Sequence, residues 1–314
     1  MLRIDTHVHP NLKLFSRYLT RRKTRKIWKA FADHNLDAVL IAEHAFKQPV
    51  QAFRALKRSR PVGMSTHLIP GVEALTKEGV DVIVFSRDEY IFQQKDILTP
   101  YKLSFEELLC RIEQDDRLYG VVTHPFVLSE TGMIAHFDVD CIRKSIRRLQ
   151  FVERHNMCVW YLRIVFERLG LSTCVPRLYE SFCATEEIPQ DIVGAGIVFG
   201  GSDAHHPWDI GSHLQIHVPH TFAYEEIFDA LIKPLHHRSF LIDKPDRVLL
   251  LSLVTSFITT PLEIIKKEWR LFYTLDLSFL SRSRRMFQPL VIFLRCAFVV
   301  SVLWVVTIPV RALL

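Results

Sequence analysis

The chain has 314 residues, 49% of them hydrophobic and 24% charged, with a net charge of +6 and only 11 glycines. This composition excludes low-complexity, collagen-like and disordered chains, and the length allows one large core or two modest ones. Six cysteines (Cys110, Cys141, Cys158, Cys174, Cys183 and Cys296) form no CxxC pair and no regular spacing. That excludes a zinc ribbon and a disulfide framework, so reduced thiols in a cytoplasmic chain without a signal peptide are expected.

Short β-rich runs alternate with helical patterns along most of the chain. "LRIDTHV" at Leu2 reads as the first strand and Arg21 to Asn35 as the first helix. The basic stretch from Arg17 to Lys29 overlaps that helix, and seven of its thirteen residues are cationic. Such a patch suits phosphorylated substrates, nucleic acid or an anionic membrane, or else is a solvated helix face. "DAVLIAE" at Asp37, "THLIPGVE" at Thr66 and "VDVIVFS" at Val80 read as the next strands, with a helix over Gln48 to Arg58. Ser104 and Glu107 have the spacing of a capping box, which starts a helix running to Asp116. Then come "YGVVTHP" at Tyr119, a helix over Asp138 to Arg148, "LQFVE" at Leu149, a helix over Met157 to Leu171 and "GIVFGGSD" at Gly196. Seven strands alternating with helices predict an α/β fold with a mostly parallel sheet closed as a barrel.

The charged, proline-bearing "LIDKPDR" at Leu241 marks a domain edge, dividing a catalytic domain over 1–246 from a tail over 247–314. In the tail, Phe287 to Leu314 carries only Arg295 and Arg311 as charges. Leu290 to Pro309 has the length of a bilayer-crossing helix, about 20 residues. Arg282, Arg284 and Arg285 precede it, which keeps that flank cytoplasmic. A buried core helix is the alternative, and the shorter uncharged run Val248 to Leu262 suits an interface or a packed helix.

Metal-capable side chains gather where these strands end. His7 and His9, two apart, face the same side of an extended chain and can bind one ion. His44, Glu73, His124, Asp203 and His205 end later strands. In a parallel barrel all these ends meet at one mouth, where active sites are built. Imidazoles with carboxylates suit zinc, manganese or iron, with room for more than one ion.

Taken in order, the motifs "HVH", "EH", "IPGVE", "THP", "FVERHN" and "GSDAHHP" followed by "DIG" resemble those of the polymerase and histidinol phosphatase (PHP) family. The resemblance spans roughly residues 1 to 242. It implies a distorted seven-stranded (β/α)7 barrel, here with a hydrophobic C-terminal helical tail, that hydrolyses phosphate esters. The implied ligands are His7, His9, His44, Glu73, His124, Asp203 and His205, with Glu73 bridging two ions and Asp203, Glu73 and His205 as the catalytic set. Ala42 and Glu43 stand where the family usually has Thr-Asp, "NLKLFSRY" has no acid, and "VDVIVFS" has no histidine. Two divalent ions, three at most, are therefore expected.

In such a site a water held by the cations becomes the nucleophile near neutral pH, with Asp203 orienting or deprotonating it. His206 and Arg238 are candidate outer contacts to the phosphate. The expected partners are a phosphorylated substrate and a membrane reached through residues 287–314, with nucleic acid as a substrate only and no specific protein partner. The competing readings are a metal-dependent amidohydrolase, a TatD-like nuclease, and an inactive metal-binding module tethered to a membrane. The strands carry no lysine suitably placed for the amidohydrolase, and "GSDAH" fits the nuclease less well.

Overall fold

The structure, a computed structural model, describes residues 1–242 apart from 129–130, 169, 171, 174–175, 187, 189–192, 194–195, 219–222 and 234–237. They belong to one compact unit, Met1–Lys244. The expected tail, the run from Val248 to Leu262, and His236 and His237 lie outside the described residues. Among the described residues no helix is long and apolar enough to cross a membrane.

The strands are β1 (Leu2–Val8), β2 (Ala38–Ile41), β3 (His67–Leu75), β4 (Asp81–Phe85), β5 (Tyr119–Val122), β6 (Phe151–Asn156), β7 (Ile197–Gly201), β8 (Ser212–Ile216) and β9 (Arg238–Ile242). They form one sheet in the order β7-β6-β5-β4-β3-β2-β1-β8-β9. The helices are α1 (Arg17–Asp33), α2 (Pro49–Arg58), α3 (Phe105–Glu113), α4 (Val139–Leu149), α5 (Met157–Arg168), α6 (Pro176–Glu186) and α7 (Tyr224–Ile232). Ser104 caps α3 through the expected box: its side chain accepts from the Glu107 amide, and the Glu107 carboxylate accepts from the Ser104 amide.

The fold is thus mixed α/β around a nearly closed barrel-shaped sheet, but nine strands build it rather than the expected seven. Nor is it uniformly β/α. Only five residues, Thr76 to Val80, join β3 to β4, too few for a crossover helix. They make a tight turn in which Val80 N donates to Thr76 Oγ1 (3.1 Å) and Gly79 takes φ 102°. β4 therefore runs antiparallel to both β3 and β5. β8 and β9 are antiparallel as well, added beyond β1.

β7, at one end of the sheet, comes round to meet β1. Ser202 N donates to Asp5 Oδ1 (2.9 Å), and His9 N donates to Ala204 O (2.9 Å). Gly201 permits this approach, because a Cβ there would lie 2.6 Å from His7 N.

One apolar cluster lies between strands and helices, joining Val39, Ile41, Val72, Val82 and Val84 to Trp28, Phe31, Phe53 and Leu108. A second joins Ile4, Leu40, Ile69, Phe85, Phe151 and Phe199 to Phe228 of α7. Phe85 of β4 touches Phe199 of β7 (5.8 Å between centroids), although those strands are not neighbours. This second cluster therefore fills the barrel interior. Ile4 belongs to it, and His7, three residues on, also turns inward. Strict alternation forbids that. The register shift between Asp5 and Val8, three residues of β1 against two of β2, is where the alternation breaks.

Candidate metal centre

Above the apolar filling, the strand ends bring His7, His9, His44, Glu73, His124, Asp203 and His205 into one cluster. The Nε2 atoms of His7 and His9 are 2.9 Å apart. Asp203 Oδ1 lies 3.1 Å from His9 Nε2 and 3.6 Å from His7 Nε2, and Glu73 Oε1 lies 3.4 Å from His7 Nε2. Ligands of a tetrahedral zinc ion are about 3.3 Å apart, given bonds of about 2.0–2.1 Å. The separations within His7, His9 and Asp203 are close to that spacing, and Glu73 Oε1 adjoins the group at His7.

A second group, His9, His44 and His205, adjoins the first, with His44 Nε2 3.2 Å from His205 Nε2. Glu73 spans the cluster: Oε1 faces His7 (3.4 Å) and His124 (3.8 Å), while Oε2 faces His44 (2.5 Å) and His9 (3.8 Å). A third group combines Glu73 and His124 with Asp81. Sequence reading passes over Asp81 because it starts its strand. The reversed β4 brings that start to the mouth, beside Leu75 of β3.

Two ring nitrogens here are buried without a hydrogen bond, His9 Nδ1 and His124 Nδ1, while His44 Nδ1 meets only Glu73 Oε2. Buried polar atoms are ordinarily satisfied, so this concentration suits cations that would take up the lone pairs. The backbone is unusual too. His124 (φ 27°) and Asp203 (φ 49°) both occupy the left-handed region. Strain of this kind collects at functional sites.

A second layer of polar residues fixes the first. Glu153, buried on β6, accepts from His7 Nδ1 (2.8 Å), His124 N (3.0 Å) and Asn156 Nδ2 (3.2 Å). Asn156 Nδ2 also donates to Asp203 Oδ2 (3.1 Å). Glu43, fully buried, accepts from Asn11 N (2.5 Å) and His44 N (3.3 Å) and so ties the loop after β1 to the end of β2. Lys23 of α1 donates to Asn11 O (2.9 Å) and His205 O (3.1 Å). Sequence reading marks Glu153 and Asn156 only as part of the "FVERHN" motif and Lys23 only as part of the basic stretch, and assigns none of the four to the cluster.

The charges divide the histidines. Burial works against a proton on His7, but the Asp203 and Glu153 carboxylates outweigh it and hold the imidazole well above its ordinary range. Burial also opposes His124, yet its Glu73 contact and the Glu153 charge raise it to about 9. His44 and His205 move the other way: burial and then His9 lower both, His205 to about 3. Burial would raise Asp203, but His7 and His9 hold it far below the carboxylate range, so it stays ionised. The cluster opens on the side of His44, Asp203 and His205, whose side chains are 15%, 17% and 32% exposed, whereas those of His7 and His9 are 0% exposed.

The two expected outer contacts are placed differently from each other. His206 follows the cluster in the chain, but its ring stacks on Trp208 (4.7 Å, 8°) and its amide donates to Asp209 Oδ2 (2.9 Å). Arg238 is not at the mouth. β9 pairs it with Ile216, and β8 pairs Ile216 with Leu2 at the opposite end of β1. Its guanidinium donates to the carbonyls of Ala230 (3.1 Å), Leu231 (2.7 Å) and Lys233 (2.9 Å), closing the end of α7.

No family model matches the chain, and no curated protein matches it in sequence. Among solved structures it is similar to the crystal structure of PsfC from Pseudomonas syringae PB-5123. The TM-score is 0.56 at 19% identity, covering 81% of this chain and 98% of PsfC. At that identity the likeness concerns the fold alone.

Proposed function

We propose that this protein is a metal-dependent phosphoesterase of the PHP type, working with two divalent ions, zinc, manganese or iron. The observation that carries the reading is Glu73, whose two carboxylate oxygens face different histidines inside a buried cluster of imidazoles and carboxylates. When bound, the ions supply Lewis acidity at the phosphoryl oxygens and lower the pKa of a coordinated water towards neutrality. His7, His9, Glu73 and Asp203 would hold one ion; His44, His205 and the other Glu73 oxygen would hold the second.

The protein's own groups prepare that site. Glu153 accepts the hydrogen bond from His7 Nδ1–H, so that, once a bound ion has displaced the other ring proton, His7 would offer Nε2 to the site. Asn156 keeps one Asp203 oxygen occupied and leaves the other for the site. Because Asp203 stays ionised far below neutral pH, its role is to hold and orient, not to store a proton. Lys23, bonded to the His205 carbonyl, and Lys47, whose amide bonds the His44 carbonyl (2.8 Å), put positive charge at the open side. That field attracts an anionic ester.

The test is hydrolysis of one generic phosphomonoester and one phosphodiester by the full chain in detergent, with manganese, zinc or iron supplied, beside Asp203→Ala. Turnover that needs metal and is lost in the variant supports the proposal. A folded protein that binds metal and cleaves neither ester overturns it in favour of the amidohydrolase or the inactive module.

A further inference from the structure

Three large apolar side chains within five positions stand out in solvent beside the mouth: Phe15 (85% exposed), Tyr18 (71%) and Leu19 (39%). Phe15 precedes α1 and Tyr18 and Leu19 lie in its first turn, while the helix's inner face buries Thr24, Ile27, Trp28 and Phe31. Its outer face is cationic. At 100° per residue, Tyr18, Arg22, Arg25 and Lys29 fall on one stripe, with Leu19 and Lys26 along one flank and Arg21 along the other. No acidic residue occurs in this helix before Asp33, which pairs with Lys29 (2.7 Å).

The other cations of that face differ from those elsewhere on the barrel. Arg54 and Lys57 meet Glu89, Arg117 meets Asp88, and Arg148 meets Glu106 and Glu113. Arg17, Arg21, Arg22, Arg25 and Lys26, by contrast, have no hydrogen-bond or ion-pair partner for their side chains among the described residues. A helix that exposes apolar tips at one end and uncompensated positive charge along its face has the make-up of an interfacial element.

We propose that the outer face of α1, with Phe15, Tyr18 and Leu19 leading, docks on an anionic lipid bilayer. The apolar tips enter the boundary between headgroups and acyl chains, and Arg21, Arg22, Arg25 and Lys26 meet the lipid phosphates. Leu19 favours lipid over nucleic acid, since an aliphatic chain gains nothing by stacking on bases. The same chain carries the stretch Leu290 to Pro309, uncharged except for Arg295. Docking also places the bilayer next to the site, because Lys23 of this helix bonds the His205 carbonyl.

The experiment is co-sedimentation of the full chain with vesicles of phosphatidylcholine alone and of phosphatidylcholine with about one-third phosphatidylglycerol. Binding to neutral vesicles measures what the apolar tips and the rest of the chain contribute without lipid charge. Binding to the anionic vesicles is expected to be stronger, and raised salt is expected to remove the difference. Each cation near the surface is worth about fivefold. Arg21→Ala/Arg22→Ala/Arg25→Ala should therefore lose about a hundredfold of the anionic increment while keeping its neutral-vesicle binding and melting temperature. Phe15→Ser/Tyr18→Ser should weaken binding to both vesicles. Equal wild-type binding to neutral and anionic vesicles overturns the proposal without any variant. So does an unchanged increment in the triple variant, or salt-dependent capture of a mixed-sequence oligonucleotide with no lipid increment. None of these outcomes depends on esterase activity, so the reading of the metal centre stands or falls separately.

Discussion

Replacing Glu153 by glutamine tests whether the buried layer beneath the cluster governs the cluster itself. The carboxylate accepts from His7 Nδ1 through one oxygen and from His124 N and Asn156 Nδ2 through the other. Glutamine keeps the volume but offers only one oxygen. If that oxygen stays with His124 and Asn156, the amide NH2 faces the His7 Nδ1–H, donor against donor. His7 relieves the conflict by moving its proton to Nε2, which is the atom turned towards His9, Glu73 and Asp203. If the amide turns round, two backbone and side-chain donors lose their acceptor instead. Losing such a supporting contact typically costs tenfold to a hundredfold in metal affinity, or about 1.4–2.7 kcal/mol. The assay is competition for zinc against a chromophoric chelator, with melting curves recorded with and without zinc. Glu153→Gln is expected to fold, bind zinc 10–100 times more weakly (roughly, by the same rule) and gain less from zinc in its melt. Wild-type affinity in a folded variant would refute the reasoning.

Gly201→Ala should strain the β1–β7 junction, because the new Cβ meets the His7 amide at 2.6 Å and Asp5 Oδ1 at 2.7 Å. Overpacking costs about 1–3 kcal/mol, and backbone that cannot swing aside favours the upper end; coincident urea midpoints for the two proteins would refute this. Ser104→Ala removes the side-chain half of the α3 capping box and should cost about 1 kcal/mol, read as a lower urea midpoint with an unchanged slope. Burial lowers the His155 pKa to about 4, against about 6.5 in the unfolded chain. A neutral buried imidazole contributes fully above pH 6.5, and that contribution drains as pH falls towards 4, by about 3 kcal/mol in all. His155→Phe should flatten that acid limb, and parallel acid limbs in the two proteins would count against the assignment.

The first seven strands stand where the sequence puts them, since each is an apolar run bounded by turn residues. β8 ("SHLQI") and β9 ("RSFLI") escape notice because polar residues interrupt short runs and no helix separates β7 from β8. Direction is harder to read than existence: only the five-residue gap before β4 betrays a hairpin, and reading every strand as parallel misses it. The seven candidate ligands are legible because histidines and acids at successive strand ends break an apolar pattern. Asp81 begins its strand rather than ending it, so nothing local marks it as a partner of the site, whereas Glu153 and Asn156 stand out only through the "FVERHN" motif, which does not reveal what they hold. Arg238 illustrates the opposite error, a cation chosen for its chemistry whose β9 register puts it at the far end of the barrel.

The seam between β1 and β7 also sets a timetable. Asp5 waits for Ser202, 197 positions later in the chain, and β1 pairs along its other edge with β8. A ribosome adding 5–20 residues per second takes roughly 10–40 s to cover that interval. Throughout that time His7 and His9 have emerged, while Asp203 and His205 do not yet exist. Contacts so distant in sequence also slow the search for the native state. The cluster is therefore among the last features the nascent chain completes, and a product truncated before Ser202 carries five of its seven residues on a sheet whose β1 edge has not closed against β7.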